Sequence, residues 1–289
     1  MKNTIFTGAG VAIITPMLQD GSVDFEGLKK LIDFQIDNGT DAIIICGTTG
    51  ESSTLSDEEH RDCIRCAVEH THNRIPVIAG TGSNDTKYAI ELSQEAQELG
   101  ADGLLLVTPY YNKCTQRGLI AHYTAIADSV DIPIILYNVP SRTGVAIDVA
   151  TEQALGQHKN IVAVKEASGN IGYTAKLAAQ CGDLVDIYSG NDDMIVPIMS
   201  LGGKGVISVL SNVMPKETHQ MTQYCLENNF AAAAKLQLEY LNLINKLFIE
   251  VNPIPVKDAL NQMGMPSGPC RMPLYEMSDE HKAALHDAL

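Results

Sequence analysis

Eight short apolar runs punctuate the chain: VAIIT (11–15), AIIIC (42–46), PVIAG (76–80), GLLLV (103–107), PIILY (133–137), IVAVK (161–165), VDIYSG (185–190) and GVISV (205–209). They lack the apolar–polar alternation of a half-exposed strand and are short for a helix, so they predict strands buried on both faces. Their starts recur every ~20 to 34 residues, the rhythm of a strand, a helix and two loops in a parallel sheet.

The intervening segments carry helix signals. Phe25, Leu28, Ile32 and Ile36 follow helical spacing and stop at Gly39, a natural residue just past a helix end. Ser56 and Glu59 form an S-x-x-E capping box ahead of Ile64, Ala67 and Val68. A third helix is predicted from about Asp85 to Leu99, closed by Gly100. After residue 215 the strands cease, FAAAAKLQLEYLNLINKLFIE is helical by composition, and NPIPVK interrupts it. The predicted architecture is α/β: a (β/α)8 TIM barrel over 1–215 and a C-terminal helical extension over 216–289 packed on it. An open doubly wound sheet is disfavoured, because it would announce its ligand site with a glycine-rich first turn. Strand one runs instead into TPMLQDG, and the GxG of GTGSND lacks a third glycine.

Length and composition agree. The 289 residues are 45% hydrophobic and fit either two ordinary domains or one large α/β barrel, and the net charge of −15 argues against a nucleic-acid or anionic-membrane surface. No apolar run approaches the roughly 20 residues of a membrane span, and MKNTIFTGAG lacks the pattern of a signal peptide, so a cytoplasmic location is expected. Seven cysteines scattered through apolar segments read as reduced core thiols. Cys63 and Cys66 make a CxxC, yet with no second pair or histidine at zinc-ligand spacing and inside a predicted helix. No metal site is expected.

In a barrel the C-terminal strand ends share the face that carries the active site. Those ends here are GTTGE, TPYYNK, YNVPSRTG and KEASG. A lone lysine ending a buried strand ordinarily reaches water, but Lys165 belongs to this convergent set. Held in an apolar mouth, its ammonium loses solvation and its pKa falls, freeing an amine that attacks a ketone or aldehyde to form a Schiff base. Tyr137 on the adjacent strand can supply a proton shuttle through a hydroxyl such as Thr48, and the GTTG turn can present backbone N–H groups to a carboxylate. Individually, Tyr137 reads first as a barrel-wall tyrosine, GTTGE as a tight turn leading into a helix, Tyr110 and Tyr111 as packing aromatics, and Arg142 as a solvated charge; it is their convergence on one face that points to chemistry.

Taken together and in order, GTTGE, PYYNK, YNVPSRTG and VKEASG resemble the pyruvate-dependent class I aldolase and N-acetylneuraminate lyase family, from GAGVAIITP to NPIPVK. The resemblance implies that Lys165 captures pyruvate and that Tyr137 is the central proton-transfer residue. Thr48 and Tyr111 would complete the relay, with Tyr111 inserted into the neighbouring subunit's site. Thr49 and Ile207 would hold pyruvate, the latter through its backbone. That arrangement implies a homo-oligomer of paired dimers, commonly a tetramer, and no metal or organic cofactor.

Arg142, in VPSRTG, matches the subgroup that binds the carboxylate of L-aspartate 4-semialdehyde on the way to lysine and diaminopimelate. A family member acting on a sugar acid, and a non-catalytic small-molecule-sensing barrel, are the alternatives. Ser52, Ser53, His60, Asn84 and Tyr110 match a lysine feedback site that some members carry. Asp57 replaces a histidine and Tyr88 a glutamate of that pattern, so weak or absent inhibition by lysine is expected.

Overall fold

The structure, a computed structural model, describes residues 4–289. Eight parallel strands pair in sequence order and close on themselves: β1 (Gly8–Ala12), β2 (Ala42–Ile45), β3 (Val77–Gly80), β4 (Gly103–Val107), β5 (Ile134–Asn138), β6 (Ile161–Glu166), β7 (Asp186–Ser189) and β8 (Gly205–Ser208). Helices follow the strands around the outside, which makes the (β/α)8 barrel that the apolar rhythm predicts. Every strand residue is buried except Gly80 and Val107, which are half-buried. This two-sided burial is why the strand sequences do not alternate.

The first strand begins at Gly8, three residues before the expected 11–15, and ends at Ala12. Its glycines are pairing residues rather than turn residues. A side chain at Gly10 would come within 2.7 Å of Ile44 Cδ1 and 2.9 Å of the Phe6 ring, and one at Gly205 would lie 1.9 Å from the Gly8 carbonyl. Beyond Ala12 the Ile13 amide still donates to the Ile44 carbonyl of β2 at 3.2 Å, and pairing stops at Ile14, whose amide donates to Asn212 Oδ1 at 3.1 Å. The remaining strands match expectation within one or two residues; β5 and β6 each run one residue further, to Asn138 and Glu166.

The helix signals hold. Phe25–Asp37 is capped by Asp24, and Thr86–Glu98 by Asp85. Ahead of Asp57–Thr71, Ser56 and Glu59 satisfy both halves of the capping box. Pro215–Leu226, after β8, packs Met221 and Cys225 with Ala9 and Val206. The alanine-rich stretch forms Phe230–Glu239 and Leu241–Lys246, and the chain resumes as Ile254–Gln262 after NP. The seven cysteines are free thiols. No helix among the described residues is long and apolar enough to cross a membrane.

A buried ion pair fastens the C-terminal helices to the barrel mouth. Lys257, 1% exposed, donates to Glu51 Oε1 at 2.7 Å and to the carbonyls of Pro269 and Thr15 at 2.6 and 3.1 Å. Glu51 Oε2 accepts from the Arg271 amide at 2.8 Å. With both charges removed from water, the pair holds only because these further hydrogen bonds satisfy it. Its consequence is positional: the GTTGE turn and the NPIPVK segment are held together.

Candidate active site

Side chains on a strand alternate faces, so register decides which residues meet. Tyr137 on β5 and Lys165 on β6 are register partners, as are Asn138 and Glu166 one residue on. The first pair lines the cavity at the barrel mouth. The second pair does not; Asn138 Nδ2 donates to Glu166 Oε2 at 2.7 Å, and Glu166 Oε1 accepts from the Ser168 amide at 2.7 Å. A buried cross-strand hydrogen bond therefore sits directly beside the reactive pair.

Lys165 is 6% exposed, and its Nζ stands 4.2 Å from the centre of the Tyr137 ring. Burial brings its pKa down to about 7; the carboxylate of Asp192 opposes the shift and the Arg142 guanidinium adds to it. Burial likewise pushes the Tyr137 phenol up to about 12, with Arg142 lowering it and Glu166 raising it. Near neutrality the site holds an amine that is partly unprotonated facing a phenol that is fully protonated.

Asp192 is a member of this site that the sequence motifs did not reveal. It is buried just past β7, where Oδ1 accepts from Ser208 Oγ at 2.6 Å and Oδ2 from the amides of Val209 and Leu210 at 3.0 and 2.9 Å. Its only sequence signal is an acidic pair three residues beyond a strand end.

The cavity above Lys165 measures about 610 Å³ and is lined by Thr48, Thr49, Tyr137, Arg142, Lys165 and Asn252 among others. That is the size of a small-molecule site. Thr49 is buried and receives Asn252 Nδ2 at 3.0 Å. Arg142 stands exposed at the rim, on the short helix Pro140–Thr143, and donates from Nη2 to the Asn252 carbonyl at 3.3 Å. Thr48 is exposed on the same rim. Ile207, on β8, has its side chain fully buried with Tyr137, Ala163 and Tyr188 and is not among the residues that line this cavity.

The expected relay is not assembled within one chain. Among the described residues the Tyr137 hydroxyl gains no hydrogen bond, and Tyr111 points away, 91% exposed, from a turn where its φ is 71°. That turn is braced by Asn84 Nδ2 donating to the Tyr110 carbonyl at 3.0 Å and Asn112 Nδ2 to the Asn84 carbonyl at 2.9 Å.

A second cavity of about 620 Å³ shares Thr48, Tyr137 and Arg142 with the first and extends to Ser52, Ser53, His60, Tyr88 and Tyr110. His60 contacts the Gly80 carbonyl at 2.9 Å, and burial lowers its pKa. Asp57 and Asn84 border this group through hydrogen bonds to Tyr88 and Tyr110. The residues that match the feedback pattern in sequence thus lie in one region beside the barrel mouth.

A closed (β/α)8 barrel whose mouth presents a desolvated lysine against a buried phenol is equipped for Schiff-base chemistry on a small carbonyl substrate. The chain belongs to the dihydrodipicolinate synthetase family, whose sequence model matches residues 5–289. It is 62% identical over 286 residues, 99% of this chain and 97% of the relative, to the 4-hydroxy-tetrahydrodipicolinate synthase of Lachnoclostridium phytofermentans. The crystal structure of dihydrodipicolinate synthase from Aquifex aeolicus matches it at 49% identity with a TM-score of 0.96, over 98% of this chain and 96% of that one. The chloride-inhibited dihydrodipicolinate synthase from Acinetobacter baumannii, complexed with pyruvate, is 45% identical with a TM-score of 0.97, over 99% and 98%.

Proposed function

We propose that this enzyme is a 4-hydroxy-tetrahydrodipicolinate synthase, a lyase that condenses pyruvate with L-aspartate 4-semialdehyde. The neutral Lys165 amine adds to the pyruvate ketone, and the carbinolamine loses water to give the iminium. Loss of a proton from the adjacent methyl then yields an enamine, whose carbon attacks the aldehyde. Tyr137 moves the protons of these steps, joined by Thr48 and by Tyr111 of a second subunit. Thr49 and the Ile207 backbone hold pyruvate, and Arg142 receives the carboxylate of the aldehyde as a charge-assisted pair.

The observation that carries this reading is Lys165, one residue from the end of β6, buried and drawn down to about 7, with its Nζ 4.2 Å from the centre of the Tyr137 ring. The Acinetobacter baumannii relative's complex with pyruvate supports the first substrate. Tyr111, a tyrosine 91% exposed on a braced turn, suits a residue that serves another subunit's site, and hence a dimer paired into a tetramer. Free thiols suit a reducing cytoplasm. Barrel (1–215) and extension (216–289) act as one unit, since Asn252 of the extension lines the cavity.

Borohydride reduction in the presence of pyruvate tests the reading: one reduced pyruvate is expected on the peptide carrying Lys165. Lys165→Ala and Lys165→Arg should both abolish it, because a guanidinium stays protonated. Label that persists in Lys165→Ala would refute the assignment.

A further inference from the structure

The C-terminal extension meets two of the proposed substrate-binding residues, Thr49 and Arg142, at one position. Asn252 is 5% exposed; its side-chain Nδ2 donates to Thr49 Oγ1 at 3.0 Å, and its backbone carbonyl accepts from Arg142 Nη2 at 3.3 Å. Its Oδ1 is buried with no donor among the described residues. Five residues on, Lys257 ties the segment to Glu51, two residues from Thr49. Asn252 is therefore held, and among the described residues its one side-chain hydrogen bond goes to Thr49.

A hydroxyl has one hydrogen to give and two lone pairs to fill. With an amide N–H filling a lone pair of Thr49 Oγ1, the hydroxyl hydrogen is directed elsewhere, and Thr49 lines the cavity above Lys165. An anion entering that cavity meets a donor. Reversing the amide would take the hydroxyl hydrogen for Oδ1 and present oxygen lone pairs to the anion, which is repulsive.

We propose that Asn252 is a positioning residue that commits Thr49 to donate toward the carboxylate of the 2-oxo acid bound at Lys165. Through its main chain it also ties that donor to Arg142, so the C-terminal extension sets the polarity of the first subsite and the placement of the second. The proposal rests on the function given above and assigns this chain a recognition element outside the barrel strands.

The test measures the pyruvate concentration that gives half-maximal borohydride-trapped adduct, by intact mass, with near-ultraviolet circular dichroism as the check on folding. Asn252→Ala frees the Thr49 hydroxyl to rotate and should raise that concentration about tenfold, the scale of one hydrogen bond. Asn252→Asp keeps the size but only accepts, so it should be worse than alanine by a further factor of about ten or more. Thr49→Val/Asn252→Ala should be no weaker than Thr49→Val alone.

Asparagine kept merely for packing predicts the reverse order, with the isosteric aspartate milder than alanine. That order, or a double variant showing the product of the two single losses, would overturn the proposal. If Asn252→Ala unfolds, Asn252→Ser carries the same comparison against aspartate. Absence of adduct in the parent protein would instead overturn the functional reading and the proposal with it. A normal parent with the aspartate and alanine order reversed would overturn the proposal alone.

Discussion

The nitrogen of Lys165 stands 4.2 Å from the centre of the Tyr137 ring, and the two residues are register partners on adjacent strands. Neighbouring strands of the barrel fix this separation, so it does not depend on a mobile loop. Because the phenol is pushed up to about 12, Tyr137 enters the reaction as a proton donor. Tyr137→Phe keeps the ring under the amine and removes only the O–H. We expect kcat to fall roughly 10²-fold or more, the scale of general acid–base catalysis. Borohydride-trapped adduct at equilibrium should survive. Near-normal turnover of the variant would reduce Tyr137 to a packing residue.

The lowered pKa of Lys165 sets the acid limb of adduct formation. With the amine half protonated near pH 7, the rate should fall about tenfold per unit below that and level off above it. Two charges move the limb in opposite directions. The Asp192 carboxylate favours the ammonium, so Asp192→Asn should shift the limb to lower pH; the Arg142 guanidinium disfavours it, so Arg142→Ala should shift it higher. Rapid-quench adduct formation between about pH 5.5 and 9 reads both displacements. Equal shifts in one direction would show that general disruption, not charge, is responsible.

Glu152 provides a stability test remote from turnover. It is fully buried, both its oxygens lack a hydrogen-bond partner among the described residues, and burial raises its pKa to about 8, with Glu166 adding to the shift. In the unfolded chain it ionises near its ordinary value of 4.5. Folding therefore carries no penalty from this group below that value, a growing one as pH rises toward 8, and the full one above. Glu152→Gln should leave the free energy of unfolding nearly unchanged at pH 4.5 and raise it progressively toward pH 8, by about a few kcal/mol at most, with Tm rising in step. A gain that does not depend on pH would place the effect in packing.

How far the sequence reached depends on the range of the interactions involved. Continuous apolar runs reveal strands buried on both faces, so the ring of eight was predictable, and Lys165 stood out as a charge ending such a run. The first strand slipped because Gly8 and Gly10 look like a turn, whereas close packing against Ile44 and Phe6 requires a residue without a side chain at position 10. Lys257 and Asn252 were silent for a different reason. Their partners Glu51 and Thr49 lie 206 and 203 residues away, and no local period encodes such a pairing. Asp192 was equally silent, since Ser208 and the amides after β8 reach it only once the barrel closes. Tyr111 was found through resemblance alone, because its proposed work lies outside its own chain.

The final prediction concerns feedback. Tyr88 donates its hydroxyl to Asp57 Oδ1 at 2.5 Å, so the two positions that depart from the lysine-sensitive pattern are bonded to each other. Burial, then the hydrogen bond to Asp57, pushes the Tyr88 phenol up to about 12, so it stays a neutral donor. Lysine carries two ammonium groups, and moving a cation into a cleft without a free acidic partner is unfavourable. Here the position of the glutamate offers no charge, and the nearby carboxylate is already engaged. We expect no inhibition by lysine, or inhibition only at high concentration. Tyr88→Phe releases Asp57 and should increase sensitivity modestly; Tyr88→Glu restores an acid at the anchor and should increase it more. Initial rates against lysine for the three proteins rank these outcomes. Micromolar inhibition of the parent enzyme, abolished by Asp57→Asn, would show that Asp57 binds lysine despite Tyr88 and would reverse the conclusion.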